Sequence, residues 1–199
     1  MLGFEQFGGD SAYPSRFSED HIRTVYTGTK VGASVHTLRL MRIDPNKYKD
    51  PKARSAMWTY LNHTLLAMSL PFNIRSAFTQ ADEWIRVDGV LARFGIGDVG
   101  SCFVPYWEKE AAALQAKGML VSSYRKKDRV LVVVSNYFGK TPVTASLKVD
   151  YKALGLPADA PCADALTGKK ADLNKLDLKA YGYRLIWLGV MDQKNVKKK

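Results

Sequence analysis

Two neighbouring hydrophobic runs in the second half of the chain predict a β-hairpin. Met119–Tyr124 and Arg129–Tyr137 are separated only by the charged residues 125–128, and the second run is almost entirely β-branched and aliphatic. Short apolar runs joined by a polar turn are typical of paired antiparallel strands. In the segment Val143–Val149 that follows, apolar and polar residues alternate strictly, as in a strand with one buried face.

Two more strand-like segments complete this half of the chain. They are Asp159–Leu166 and Tyr181–Leu188. Several short strands separated by turn residues predict an antiparallel β-sandwich. The alanine-rich stretch Glu110–Lys117, which comes before the hairpin, is interpreted as a short helical connector.

The first half of the chain predicts helices that alternate with short strands. Apolar residues at spacings of three and four predict three helices, Ser18–Lys30, Lys52–Leu70 and Thr79–Phe94, the last ending before Gly95. Ala33–Met41 and Phe72–Ala77 between them are strand-like. This alternation is typical of parallel βαβ units, but two or three units are too few to close a barrel.

The charge of the chain is unevenly distributed. The formal net charge is +11, and residues 117–199 carry 17 lysines and arginines against 7 acidic residues. Basic residues interleaved with exposed aromatics, or a known nucleic-acid-binding motif, would be needed to predict nucleic-acid binding. Since neither is found, the excess is interpreted as a solvated lysine-rich surface, and no nucleic-acid partner is expected.

Several further classes of protein are disfavoured by the sequence. No apolar run approaches the length of a transmembrane helix, and Glu5 stands where a basic leader would begin, so neither a membrane span nor a signal peptide is predicted. The two cysteines, Cys102 and Cys162, are interpreted as free thiols, although a bridge between them stays open. No metal-ligand spacing, phosphate loop or nucleotide fingerprint is present, so no metal and no cofactor are expected.

Glu5 is the strongest candidate for chemistry. It lies in the segment G-F-E-Q-F-G-G-D, which is interpreted as the carboxyl end of a barrel strand running into a loop. In parallel α/β folds, active-site residues lie at the carboxyl ends of the strands. A carboxylate there could protonate or attack a glycosidic centre, with Asp10 as its partner or as a substrate ligand. The alternative is that Glu5 only pairs with Arg16 or Arg23.

Three other residues are candidates for substrate binding. His36 lies on a predicted strand and could line a pocket, and Trp107 lies between the two halves of the chain. Arg75, on the last predicted strand of the first half, could meet a polar substrate or could neutralise Asp82. His63 is interpreted as a hydrogen-bonded packing residue, and the acidic residues 82–83 as favourable charges in the first turn of a helix.

The order of these segments resembles the C-terminal region of bacterial glycoside hydrolase-like proteins akin to the family 123-like group. The segments that carry the resemblance are A-R-F-G-I-G-D-V-G-S-C-F-V-P-Y-W-E (Ala92–Glu108), S-S-Y-R-K-K-D-R-V-L-V-V-V-S-N-Y, V-T-A-S-L-K-V-D and L-G-L-P. In addition, G-F-E-Q-F is similar to a strand end late in the barrel of such proteins, and W-T-Y-L-N-H-T-L-L-A-M is similar to the helix before the last strand. D-A-L-T-G-K-K and Y-G-Y-R-L-I-W-L are similar to the closing hairpin of the sandwich.

The resemblance implies a (β/α)8 barrel followed by a β-sandwich, with hydrolysis of O-glycosidic bonds in a carbohydrate substrate. It carries over only Glu5 as a site residue, and the front of the barrel, with most active-site loops, is missing. Met1 would then be an internal start or the start of a truncated gene product, and the parent protein would be secreted or periplasmic. The chain alone is expected to be inactive.

The sequence therefore predicts a partial (β/α)8 barrel, its last βα units, followed by a C-terminal antiparallel β-sandwich. Residues 1–108 are assigned to the barrel, 109–192 to the sandwich and 193–199 to a basic disordered tail. The alternative function is a non-catalytic module that binds carbohydrate or supports a partner domain. That alternative predicts exposed aromatics on one face of the sandwich, such as Tyr124 and Tyr137.

Overall fold

In the computed structural model, residues 3–7, 19–20, 34–38, 49–76 and 82–191 are described. Within them, two helices are followed by antiparallel β-sheets, the largest of which has five strands, so the composition is α+β. Of the first predicted helix, residues 19–20 are helical and the rest lies outside the described residues. Thr79 and the predicted basic tail, 193–199, also lie outside them.

The first three strands form a small parallel sheet. They are β1 (Gly3–Phe7), β2 (Ser34–Leu38) and β3 (Arg75–Ser76), in the order β1-β2-β3. Both strand pairs are parallel, which confirms the parallel pairing that the helix–strand alternation predicts. These three strands do not close on themselves, and the described part of the chain contains no barrel.

Helix α1 (Pro51–Ser69) confirms the prediction of a long helix that begins near Pro51. The side chain of Asp50 caps it by accepting hydrogen bonds from the backbone N–H groups of Lys52 at 3.0 Å and Ala53 at 3.2 Å. Proline at the first position suits a helix start because its missing N–H would have no partner there. A short 3-10 turn, Leu70–Phe72, ends the segment.

Helix α2 (Asp82–Phe94) has one buried face, as its apolar spacing predicts. The residues on that face are Trp84, Val87, Val90, Leu91 and Phe94. Gly95 follows with a φ of 79°, and the N–H of Ile96 donates to the carbonyl oxygen of Leu91 at 3.1 Å. This pattern is the Schellman ending that the position of Gly95 predicts.

The main sheet is antiparallel and has five strands. They are β4 (Cys102–Val104), β6 (Leu120–Lys126), β7 (Arg129–Ser135), β10 (Cys162–Asp164) and β12 (Tyr183–Gly189), in the order β10-β12-β7-β6-β4. Strands β6 and β7 form the predicted hairpin. Lys126 pairs with Arg129, so the turn itself contains only Lys127 and Asp128.

Two two-stranded sheets cover one face of the main sheet. One pairs β5 (Leu114–Gln115) with β9 (Lys148–Val149), and the other pairs β8 (Val143–Ala145) with β11 (Leu176–Leu178). The prediction of one continuous strand over Val143–Val149 is therefore wrong. The predicted helical connector is a 3-10 turn, Lys109–Ala113, followed directly by β5, so that prediction is confirmed only in part.

The main sheet is buried on both faces. Leu131 and Val133 of β7 pack with helices α1 and α2, whereas Val132 and its alternate neighbours pack with the two small sheets. This double burial explains why β7 reads as a nearly unbroken apolar run rather than an alternating one. The helices and the main sheet consequently share one hydrophobic core.

Two buried serines connect the main sheet to the end of α1. The hydroxyl of Ser135 on β7 donates to the carbonyl oxygen of Ala67 at 2.6 Å, and that of Ser122 on β6 donates to the carbonyl oxygen of Pro71 at 2.7 Å. Carbonyl groups at a helix end have no partner within the helix. The sheet supplies donors to them, so the end of α1 is held by directional bonds as well as by packing.

Candidate functional site

Three of the predicted site residues lie close together in the parallel sheet. Glu5 of β1 pairs in register with His36 of β2, and Arg75 of β3 pairs with Thr37, the next residue of β2. Residues from three strands therefore occupy two adjacent register positions. Glu5 is the third of the five residues of β1 rather than the last, so it does not lie at the end of the strand.

The other two predicted site residues do not join this group. Asp10 lies outside the described residues. Trp107 is half-buried in an aromatic cluster, with its ring centroid 5.8 Å from that of Phe72 and 4.9 Å from that of Tyr106. These contacts place Trp107 at the edge of the core that the helices share with the main sheet.

A groove of about 720 Å³ lies between helices α1 and α2. One stripe of α1 forms one wall, the first turn of α2 forms another, and Leu166 borders it from the loop after β10. The polar and aromatic residues among the described ones that line it are Arg54, Ser55, Trp58, Thr59, Asn62, Asp82, Glu83 and Arg86. The groove therefore combines charged, amide and indole groups on a rigid helical frame.

Glu83 is held in the wall of this groove by two hydrogen bonds. Its Oε1 atom lies 2.7 Å from Nδ1 of His63 on α1 and accepts the hydroxyl of Tyr183 on β12 at 2.9 Å. The rings of His63 and Tyr183 also contact each other, with centroids 5.0 Å apart. One carboxylate oxygen thus links α1, α2 and the main sheet.

The electrostatics of this network favour an ionised Glu83. Burial by itself raises the pKa of the Glu83 carboxyl, but the hydrogen bond and charge of His63, with the hydrogen bond from Tyr183, hold that pKa below its ordinary value. Burial, together with the charge of Glu83, raises the pKa of the Tyr183 phenol. The phenol therefore remains a donor and the carboxylate an acceptor at neutral pH.

Asn62 and Trp58 are the two unusual residues of the groove. Asn62 is only 4% exposed, and although its Nδ2 donates to the carbonyl oxygen of Trp58 at 2.8 Å, its Oδ1 has no hydrogen-bond partner. A buried acceptor without a donor is uncommon in folded proteins and requires an explanation. Trp58 is 39% exposed, which is high for an indole.

The aromatics predicted to lie on an exposed sandwich face are buried instead. Tyr124 is 2% exposed and Tyr137 is 1% exposed, so the prediction that they form a binding face is wrong. The hydroxyl of Tyr124 donates to Oδ1 of Asn73 at 2.8 Å. Tyr124 faces the helices because the main sheet is covered on both sides, which the alternation along β6 alone does not reveal.

Other classes of site were considered within the described residues. Those residues contain no group of three or more histidine, cysteine or acidic side chains arranged to hold a metal ion. In the same part of the chain, neither helix has the length and apolar character needed to cross a bilayer. Cys102 and Cys162 are both free, as predicted.

Comparison of the chain with models of known protein families and with curated proteins finds no match.

The sequence indicates the parallel-strand residues but not the groove. His63 is confirmed as a hydrogen-bonded packing residue, and Asp82 and Glu83 lie in the first turn of α2 as predicted. The partners of Glu83 are distant in sequence, His63 by 20 residues and Tyr183 by 100, and no local pattern connects them. The exposure of Trp58 is likewise not indicated by the sequence, because tryptophan is highly buried on average.

Proposed function

We propose that this chain is the C-terminal part of a glycoside hydrolase, in which β1–β3 are the last strands of a (β/α)8 barrel. The observation that carries the proposal is the parallel pairing of these strands, which aligns Glu5 with His36 and brings Arg75 to the next register position. Barrel enzymes draw catalytic residues from the carboxyl ends of several neighbouring parallel strands, and Glu5 lies two residues before the last residue of β1. Glu5 and His36 occupy the same register position, whereas Arg75 is aligned with Thr37 and so belongs to the alternate position of the pleat. The pairing of a glutamate with a histidine is the part that supports a role in protonating a glycosidic oxygen.

Hydrolysis of a glycosidic bond requires a second carboxyl group. Glycosidases hold two such groups roughly 5–10 Å apart, one acting as acid and the other as nucleophile or base. Asp10 is the partner proposed within this chain, and the strands that precede this segment in a full barrel are the other source. Since a barrel has about eight strands and the described residues contribute three parallel ones, we expect negligible turnover from the chain alone.

The test compares the chain with a longer form. The gene is read upstream of Met1 for an in-frame extension that encodes earlier βα units, and both forms are assayed on a panel of aryl glycosides. We expect hydrolysis by the longer form only, and its loss by at least about a thousandfold in Glu5→Gln, as for removal of a catalytic acid. Circular dichroism should show that the variant keeps its fold.

Glu108→Gln is the matched control, because it makes the same carboxylate-to-amide change at an exposed position. Its activity should equal that of the unsubstituted protein. Robust hydrolysis by the short chain would contradict the assignment of an incomplete barrel. Full activity of the longer form after Glu5→Gln would contradict the role given to Glu5.

A second candidate function is support of a partner domain by the β-sheets without catalysis. The observation that favours it is the core shared by α1, α2 and the main sheet, through which the sheet stabilises the helical part. This candidate predicts that the longer form hydrolyses no glycoside. It also predicts that deleting the sheets leaves the helical part unfolded, as measured by circular dichroism.

A further inference from the structure

The groove between α1 and α2 has the size and rigidity of a small-molecule site. Its volume of about 720 Å³ is within the common range of ligand pockets, about 300–1,000 Å³. Both walls are helical, and the network of His63, Glu83 and Tyr183 fixes them to the main sheet. Sites on helices and strands keep their geometry better than sites on loops.

The charges are balanced among the described residues that line the groove. Arg54 and Arg86 bring two positive charges, and Asp82 and Glu83 bring two negative charges. A phosphate or a polyanion would be recognised by an excess of basic groups, and a metal ion by an excess of carboxylates. The balance therefore favours a ligand without net charge.

The remaining groups match the surface of a sugar. The guanidinium group of Arg86 offers donors, whereas Asp82 and the unpartnered Oδ1 of Asn62 offer acceptors. Sugar hydroxyl groups both donate and accept, so they can satisfy both kinds of partner at once. The half-exposed indole of Trp58 offers a flat apolar surface of the kind that the C–H face of a pyranose ring covers.

We propose that this groove binds a short neutral oligosaccharide, with the sugar ring on Trp58 and a hydroxyl group donated to Asn62. The site is built from α1 and α2 and is not the parallel-strand site of Glu5. The choice of carbohydrate rests in part on the proposed function, whereas the location rests on the groove alone.

Binding is tested on the unmodified chain with defined probes. Cellotriose, maltotriose and tri-N-acetylchitotriose serve as neutral probes, and trigalacturonate serves as the charged one. Calorimetry and tryptophan fluorescence should show saturable binding of at least one neutral trisaccharide and none of trigalacturonate. Trp84 and Trp187 are buried and Trp107 is half-buried, so the protection from acrylamide quenching that disappears in Trp58→Ala is the part that reports on the exposed indole of Trp58.

Substitutions then locate the bound sugar. Trp58→Ala should weaken binding by about tenfold or more, the equivalent of about 1.4 kcal/mol. Tyr60→Ala is the matched control, because Tyr60 lies on the same helix, is 43% exposed and does not line the groove. Asn62→Leu should also weaken binding. If that buried substitution unfolds the chain, the comparison of Trp58→Ala with Tyr60→Ala alone shows whether the sugar binds in the groove.

Three results would overturn the proposal. They are the absence of binding by every neutral probe, binding of trigalacturonate alone, and equal affinities in the Trp58→Ala and Tyr60→Ala variants. Failure of the hydrolase proposal leaves this one intact, since binding here is measured without turnover. Conversely, hydrolysis by a longer form that binds no sugar in this groove would remove only the present inference.

Discussion

Glu83 shows how a single side chain can determine the relative positions of three elements. Its Oε1 atom meets His63 on α1 and Tyr183 on β12, while its backbone belongs to the first turn of α2. Hydrogen bonds to a charged group are each worth about 1.5–3 kcal/mol when both partners are in place. Removing one partner leaves the others partly buried without full satisfaction, so the three side chains act as a unit.

The first prediction concerns the pH dependence of stability at Glu83. Because the fold lowers the pKa of this carboxyl, its contribution is present above the unfolded value of about 4.5 and is lost as the pH falls through the lower folded value. We expect Glu83→Gln to reduce the free energy of unfolding by about 1–3 kcal/mol at neutral pH and by less under acid conditions. Urea unfolding followed over that range measures the difference.

Glu108→Gln gives the background for an exposed carboxylate-to-amide change. If the loss of unfolding free energy caused by Glu83→Gln stays constant as the pH is lowered, the charge of Glu83 plays no part in the network. In a double-mutant cycle with Tyr183→Phe, the two losses should be less than additive, because both changes remove the same hydrogen bond.

At the residue scale, the sequence predicts the role of a side chain better than it predicts which residue that side chain contacts. The position of His63 at the edge of an apolar stripe indicates a hydrogen-bonded packing residue, and the structure confirms it. The identity of its partner depends on how α2 is placed against α1, which is a tertiary property. The burial of Tyr124 is not predicted for the same reason. The helices cover the face of the main sheet that carries Tyr124, and the alternation of apolar and polar residues along β6 does not reveal this cover.

At the scale of elements, the end of α2 gives the second prediction. Gly95 has a φ of 79°, and a Cβ atom there would overlap Oδ2 of Asp98 and Nζ of Lys126. We expect Gly95→Ala to destabilise the protein by about 1–2 kcal/mol, because alanine pays for the left-handed backbone and displaces Asp98. Thermal unfolding followed by far-UV circular dichroism measures the change.

Gly89→Ala is the matched control within the same helix. A Cβ atom at Gly89 meets nothing within 4 Å, and alanine is the better helix former. This variant should be more stable than the unsubstituted protein by about 0.4–1 kcal/mol. Equal effects of the two substitutions would contradict the helix ending described above.

Elements with strong local signals are predicted well from this sequence. Helix α1 begins at Pro51 after the cap of Asp50, and the hairpin of β6 and β7 has its turn where the charged residues lie. The segment Val143–Val149 is misread as one strand because its alternation continues through a break. There, the N–H of Leu147 bonds to the carbonyl oxygen of Leu173, outside either strand, and this tertiary contact leaves no local mark.

At the scale of the whole molecule, the third prediction compares the two faces of the main sheet. Leu185 and Leu188 are both fully buried on β12, but Leu185 packs with the helices and Leu188 with the small sheets. Each substitution by alanine should cost about 2–5 kcal/mol. Since the helices share a core with the sheet, Leu185→Ala should also lower the hydrogen-exchange protection of α1 and α2.

Leu188→Ala is the control, because it removes the same side chain from the opposite face. If the helices keep full protection in Leu185→Ala while the sheet loses it, the two parts do not unfold together. The sequence predicts the helices and the antiparallel strands, but it does not predict that they are buried against each other in one core. The apolar sequence of β7 predicts a strand that is buried on both faces. It does not indicate which elements cover those faces.

The hydroxyl groups of Ser122 and Ser135 restrict how α1 can lie on the sheet. One acceptor, the carbonyl oxygen of Ala67, belongs to α1, and the other, that of Pro71, belongs to the 3-10 turn directly after it. A helix advances about 1.5 Å for each residue, so a one-residue slide of this segment would move both acceptors by that distance from their donors. The hydrophobic effect is non-directional, whereas each of these two hydrogen bonds has a fixed partner and direction. The two bonds therefore set the position of this segment along the sheet. Residues inserted between α1 and β6 would have to be accommodated in the intervening loops, because the bonds oppose a shift of the helix along the sheet.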